Sequence, residues 1–177
     1  EIHPDLSRAL PVVDPAHREL WISLGCALEN LMIVASASGY TPIVTYPTES
    51  RQFIDIELQP STPQKSPLLD AIPLRQSTRG EYQPVVMLRE YRDQIHAVPS
   101  ESGVVLQFLE DKPSMDMALE YVVQGNLSQY SDAAFVTELV DWLRFNKKEA
   151  LSTLDGLYSK CSGNPTVPRW IGKMVVS

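Results

Sequence analysis

Apolar residues between Leu20 and Ala35 fall at positions 20, 24, 27, 28, 31, 34 and 35, the three-and-four spacing of one helical face. Trp21, Ile22, Met32 and Ile33 fill much of the other side, so this helix is expected to be buried nearly all round. Asp14-Pro15 reads as its start, with Asp at the N-cap and Pro in the first turn. Gly39 reads as its stop, with Pro42 just beyond.

Residues 1–13 are Pro-rich and expected to form an extended lead-in. From Arg51 to Leu58 the pattern alternates, which predicts a strand. Residues 59–66 form a Pro/Ser/Thr/Gln linker, followed by a short helix over 66–72. The later chain predicts a helix from Pro84 to about Ile95 and a strand from Gly103 to Leu109. Two more helices follow, from Pro113 to about Gln124 and from Asp132 to Phe145. Asp132 is a cap for the last of these, and Phe135, Leu139, Trp142 and Leu143 form its inner stripe. Asp155-Gly156 marks a turn, and the tail from Gly163 is interrupted by Gly and Pro. Helices outnumber strands, and the strands lie far apart in sequence. The expected class is α+β, with helices packed around a mixed or antiparallel sheet.

Composition narrows the picture. With 177 residues, 44% hydrophobic and 21% charged, the chain can build a core. A formal charge of −7 argues against non-specific nucleic-acid binding and against docking on an anionic membrane. The Leu20–Ala37 run is broken by Ser23, Glu29, Asn30 and Ser36, and is read as a buried helix of a soluble, cytoplasmic protein. Cys26 is expected to be a buried small hydrophobe; Cys161, in a polar loop, is open to exposure. Glu1-Ile2-His3-Pro4-Asp5 lacks a basic region and a long apolar stretch, so no signal peptide is expected there. The lack of an initiator Met, and an apolar run at the end, suggest a piece of a longer polypeptide or a trimmed one.

Little of the chain carries chemistry. His3, His17 and His96 are widely separated and neither cysteine has a partner at ligand spacing, so no metal site is expected. No Gly-x-Ser-x-Gly elbow, P-loop or Gly-x-Gly-x-x-Gly turn occurs. Glu29-Asn30 within the long helix either braces neighbouring elements or lies near a ligand. The exception is Arg75-Gln76-Ser77-Thr78-Arg79, in which two arginines flank two hydroxyls. Guanidinium forks and neutral hydroxyl donors together suit a phosphate ester. The competing reading has Ser77 or Thr78 capping a turn and both arginines solvated.

The segment Ile72-Pro73-Leu74-Arg75-Gln76-Ser77-Thr78-Arg79-Gly80-Glu81-Tyr82 resembles the Arg-x-Ser-x-Arg/Lys-x-Phe/Tyr opening of nitroreductase-family flavoproteins. Ile22 to Ala35, ending at Ser38-Gly39-Tyr40, is similar to that family's long central helix. Glu138 to Arg144 followed by Asp155-Gly156-Leu157 resembles a further feature, especially of the duplicated, Acg-like branch. In ordinary members the Arg-Ser-Arg segment precedes the central helix; here it follows. That order fits a duplicated protein seen through its middle. Residues 1–58 would end a first repeat, 59–66 would link, and 67–177 would begin a second.

The resemblance implies a nitroreductase-like fold and FMN, with Arg75, Ser77 and Arg79 at the positions that hold its phosphate and ribityl chain. Thr78 falls between those contacts. It implies ping-pong hydride transfer from NAD(P)H to an electron-poor acceptor, with no catalytic acid or base among the named residues. It also implies a homodimer, or association with the remainder of a longer chain. The alternatives are a protein that sequesters FMN without turnover and a structural or interaction domain with a solvated arginine loop.

Overall fold

The computed structural model describes residues 1–77, 80–83, 85–98 and 103–176. The chain is mixed α+β and forms two units, Glu1–Thr78 and Arg79–Ser177.

In the first unit, Asp14 sets the long helix from a turn upstream. Its buried carboxylate accepts from the Leu20 backbone N–H at 3.0 Å. Burial pushes the Asp14 carboxyl up, but backbone N–H groups of Leu20, Glu19 and Arg18 outweigh it and hold the group below its ordinary range. Helix α1 runs Arg18–Ala37, entered through His17 in the left-handed region (φ 54°). Gly39 (φ 87°) ends it, as expected, and the chain turns into β1, Tyr40–Thr45. No strand is expected there from sequence. β2, Asp55–Pro60, pairs antiparallel with β1, with Tyr40 opposite Pro60 and Thr45 opposite Asp55.

The register explains why Pro42 does not break this ribbon. Ser61 N–H donates to the Gly39 carbonyl at 2.7 Å, so pair 39/61 is a hydrogen-bonded one. Bonded pairs alternate with non-bonded ones, so 40/60 and 42/58 are non-bonded pairs. The missing N–H groups of Pro42 and Pro60 therefore face away from the ladder. The lead-in reaches the other side of this strand: Ile2 exchanges two backbone hydrogen bonds with Ile54, at 2.8 and 3.0 Å.

A two-stranded ribbon covers one stripe of a helix, because neighbouring strands lie only about 4.8 Å apart. Leu28 and Ala35 are the buried residues of α1, whereas Ile22 and Val34 are 48% and 45% exposed. The expectation of burial all round is thus corrected, and so is that of a buried Cys26, which is exposed. Glu29 is exposed as well. By length and composition α1 is apolar enough to cross a membrane.

Residues 61–66 follow β2 without regular structure, and Gln64 N–H donates to the Ser36 carbonyl at the end of α1. Ser66 then caps α2, Pro67–Ala71, accepting from Leu68 N–H at 3.2 Å.

In the second unit, α3 spans Arg89–His96, shorter than the helix expected from Pro84. The strand expected at Gly103–Leu109 is absent: among the described residues 103–110 have no ladder partner. This stretch instead meets α3 through the Arg92–Glu110 ion pair and the His96 and Phe108 rings, 4.6 Å apart. Asp111 caps α4, Lys112–Tyr130, by accepting from Ser114 N–H at 2.9 Å. Asp132 caps α5, Ala133–Trp142, as expected, but the helix stops three residues before Phe145. There Leu143–Arg144 (β3) pairs parallel with Leu157–Tyr158 (β4).

Between them lies α6, Lys147–Thr153, unforeseen in the sequence. Asn146 and Glu149 cap its start reciprocally: Asn146 accepts from Glu149 N–H, and Glu149 accepts from Phe145 N–H and the Asn146 amide. The tail forms α7, Arg169–Val176, where only interruption was expected. Val140 and Phe145 are the apolar centre of this region, each 4% exposed.

Candidate functional site

The Arg75 segment leaves α2 through a tight turn. The Ala71 carbonyl accepts from both Leu74 N–H (3.0 Å) and Arg75 N–H (2.9 Å), so the backbone is fixed up to Arg75. From there the side chains point into water: Leu74 is 79% exposed, and Arg75 and Ser77 are both exposed. No hydrogen bond or ion pair within the described residues takes up the Arg75 guanidinium or the Ser77 hydroxyl. Thr78 and Arg79, the other half of the expected cluster, lie outside the described residues. What the structure presents is a guanidinium and a hydroxyl two residues apart, their donors unspent. Such a pair can bind an anion without first breaking an internal contact.

The structure also joins two stretches that the sequence only set side by side, Glu138–Arg144 and Asp155-Gly156-Leu157. The Arg144 side chain is 10% exposed and its Nη2 donates to Asp155 Oδ1 at 2.7 Å. Its Nε donates to Thr153 Oγ1 (3.0 Å) and Asp155 Oδ1 (3.2 Å), and its Nη1 to the carbonyls of Asp141 (2.7 Å) and Leu143 (3.2 Å). The guanidinium carbon lies 5.9 Å from the Trp142 ring centroid. This satisfaction of a buried cation explains why α5 ends where it does: its last carbonyls turn to Arg144 rather than to a further helical turn. Leu154 (φ 53°) and Gly156 (φ 69°) reverse the chain to bring Asp155 in. A Cβ on Gly156 would sit 2.4 Å from the Trp142 carbonyl oxygen and 2.9 Å from Arg144 Cζ, so only glycine fits. The centre is saturated and closed, and we read it as the brace of this unit. Both of its stretches stand out in the sequence, but the pairing of Arg144 with Asp155 does not; opposite charges flanking a helix-length insert are the signal for it.

Among the described residues, cavities open in each unit. One, about 440 Å³, lies between α5 and α7, walled by Leu139, Phe145, Ile171 and Val175, with Ser159 at its base. Ser159 already donates to the Phe145 carbonyl at 3.3 Å. The other, about 460 Å³, lies in the first unit between Trp21 on α1 and Tyr46 just after β1. Neither is marked by a motif in the sequence. Among the described residues no group of three or more His, Cys, Asp or Glu could hold a metal ion.

Compared with known protein families, curated proteins and solved structures, this chain matches none of them.

Proposed function

We propose that this chain is an FMN-dependent oxidoreductase of the nitroreductase type, with Arg75, Ser77, Thr78 and Arg79 holding the FMN phosphate and neighbouring ribityl chain. The observation that carries this reading is the state of Arg75 and Ser77: exposed, two residues apart, and engaged by nothing else among the described residues. A phosphate needs such donors, and these residues fit that end of the group. When bound, FMN supplies hydride transfer from NAD(P)H to an electron-poor acceptor in ping-pong order. The named residues bind and orient; none moves a proton, and the Arg144 centre braces the fold.

On the same reading, residues 1–58 close a first nitroreductase-like repeat, 59–66 link, and 67–177 open a second. The protein works in the cytoplasm, as a homodimer or with the remainder of a longer chain.

The test is flavin retention by the purified chain. Each charge-assisted bond to phosphate contributes about 1.5–3 kcal/mol. Arg75→Ala with Arg79→Ala should therefore weaken FMN binding by roughly a hundredfold or more, and added salt should weaken the parent's binding. A chain that binds no flavin, or one whose double variant retains it equally well, would overturn the assignment. If flavin binds but NADPH added without oxygen leaves it oxidised, the protein sequesters FMN and does not turn over.

A further inference from the structure

The groove beside α1 has a chemistry of its own. Its floor is apolar and fixed by Leu28 (5% exposed) and Ile54 (3% exposed). Two aromatic side chains flank it: Trp21 on the helix and Tyr46, 59% exposed, at the end of β1. Gly25, one turn beyond Trp21, leaves the space above the helix open, and a Cβ there would meet nothing within 4 Å.

At the rim stands Glu49, in a turn closed by the Thr48–Arg51 bridge. Its backbone carbonyl lies 3.4 Å from the Gln52 amide, but no described residue takes its carboxylate. Arg51, two residues on, is not part of the lining: its Nη2 donates to the Tyr46 carbonyl at 3.2 Å, its guanidinium lies 5.6 Å from the Phe53 ring centroid, and its buried Nε has no partner. No Lys or Arg lines the groove.

Aromatic side chains, an apolar floor and an unpaired carboxylate together favour one ligand charge. A cation is drawn to the negative faces of Trp and Tyr rings and to the carboxylate, while its alkyl groups cover apolar surface. An anion would meet Glu49, and a strongly hydrated small cation would gain nothing from the floor. We propose that this groove binds a small organic cation of the trimethylammonium type. The proposal stands apart from the flavin reading, since it uses none of the Arg75 segment.

The experiment is calorimetric titration of the full chain with choline and with 3,3-dimethylbutan-1-ol, in which carbon replaces the charged nitrogen in the same shape. Choline should bind at least about fivefold tighter than its neutral isostere, in line with one or two cation–ring contacts. Glu49→Gln should weaken choline by roughly fivefold and leave the isostere unchanged, as expected for loss of one partly exposed charge. Gly25→Leu should fill the groove and abolish choline binding while circular dichroism is retained; Tyr46→Ser, outside the helix, gives the same answer should Gly25→Leu misfold. Equal binding of choline and the isostere, or no choline binding at about 50 mM, overturns the proposal, since a cation–ring site must discriminate charge.

Discussion

Phe145 and Gly172 meet more closely than any other glycine contact in the second unit. A Cβ on Gly172 would lie 2.1 Å from Phe145 Cδ1, and Phe145 is itself 4% exposed. The ring is further held by backbone: its carbonyl accepts from Val167 N–H at 3.1 Å and from the Ser159 hydroxyl, and its N–H donates to Glu149. It cannot step aside cheaply. Gly172→Ala is therefore expected to destabilise by about 1–3 kcal/mol, the usual cost of overpacking a core, despite alanine's better helix propensity. Urea denaturation measures it, and Phe145→Leu in the same chain should recover part of the loss. A stabilised Gly172→Ala variant would show that the helix does not sit against the ring.

At the scale of elements, the acidic caps give a pH signature. Asp111 is held below its ordinary value chiefly by the Ser114 backbone N–H, with the Ser114 hydroxyl adding to it against the opposing effect of burial. Asp14 is lowered against its burial by the N–H groups opening α1. A carboxyl depressed by folding stabilises the ionised native state. That contribution is whole above the unfolded value near 3.8 and is lost as pH falls through the lower folded value. Asp14→Asn and Asp111→Asn should each lower the melting temperature near neutrality. Each should also flatten the acid slope, so that variants and parent converge once pH has fallen below the lowered native values; unchanged slopes would contradict the caps.

These caps also show what the sequence made legible. Asp132 as a cap and the Asp155-Gly156 turn are local signals, and they stand where expected. The misses depend on partners. Pro42 reads as a terminator until the β1–β2 register turns its missing N–H outward. The 103–109 stretch has strand composition, yet among the described residues nothing pairs with it. Helices α6 and α7 are stabilised by Glu149 and Arg169 contacts that cross loops: Arg169 Nη1 lies 3.1 Å from the Leu143 carbonyl and 3.5 Å from Glu149 Oε2. The same limit applied to the sites. The donors of Arg75 and Ser77 lie two residues apart in sequence and could be read there, whereas the Arg144–Asp155 centre and the Trp21–Tyr46–Glu49 groove are assembled from separate segments.

At the scale of the whole chain, each unit carries a small core of its own: Leu28, Ala35 and Ile54 in one, and Val140 and Phe145 in the other. Contiguous cooperative units can open with free energies of their own. Gly172→Ala should therefore speed amide hydrogen exchange across α5, α6 and α7 while the α1 and β1–β2 amides keep their protection. Uniform acceleration throughout would mean that the chain unfolds as one cooperative body.

Pro42 and Pro60 have one more consequence. A two-stranded ribbon has two outward edges, each able to recruit a strand from another molecule and grow into an aggregate. On the β1 edge, the middle outward position, residue 42, offers no donor. On the β2 edge, the outward groups of Ile54 are occupied by Ile2, and residue 60 at the far end offers none. The prolines and the N-terminal lead-in thus act as gatekeepers against intermolecular β-growth, a protection that matters for a chain with so much apolar surface near its ribbon.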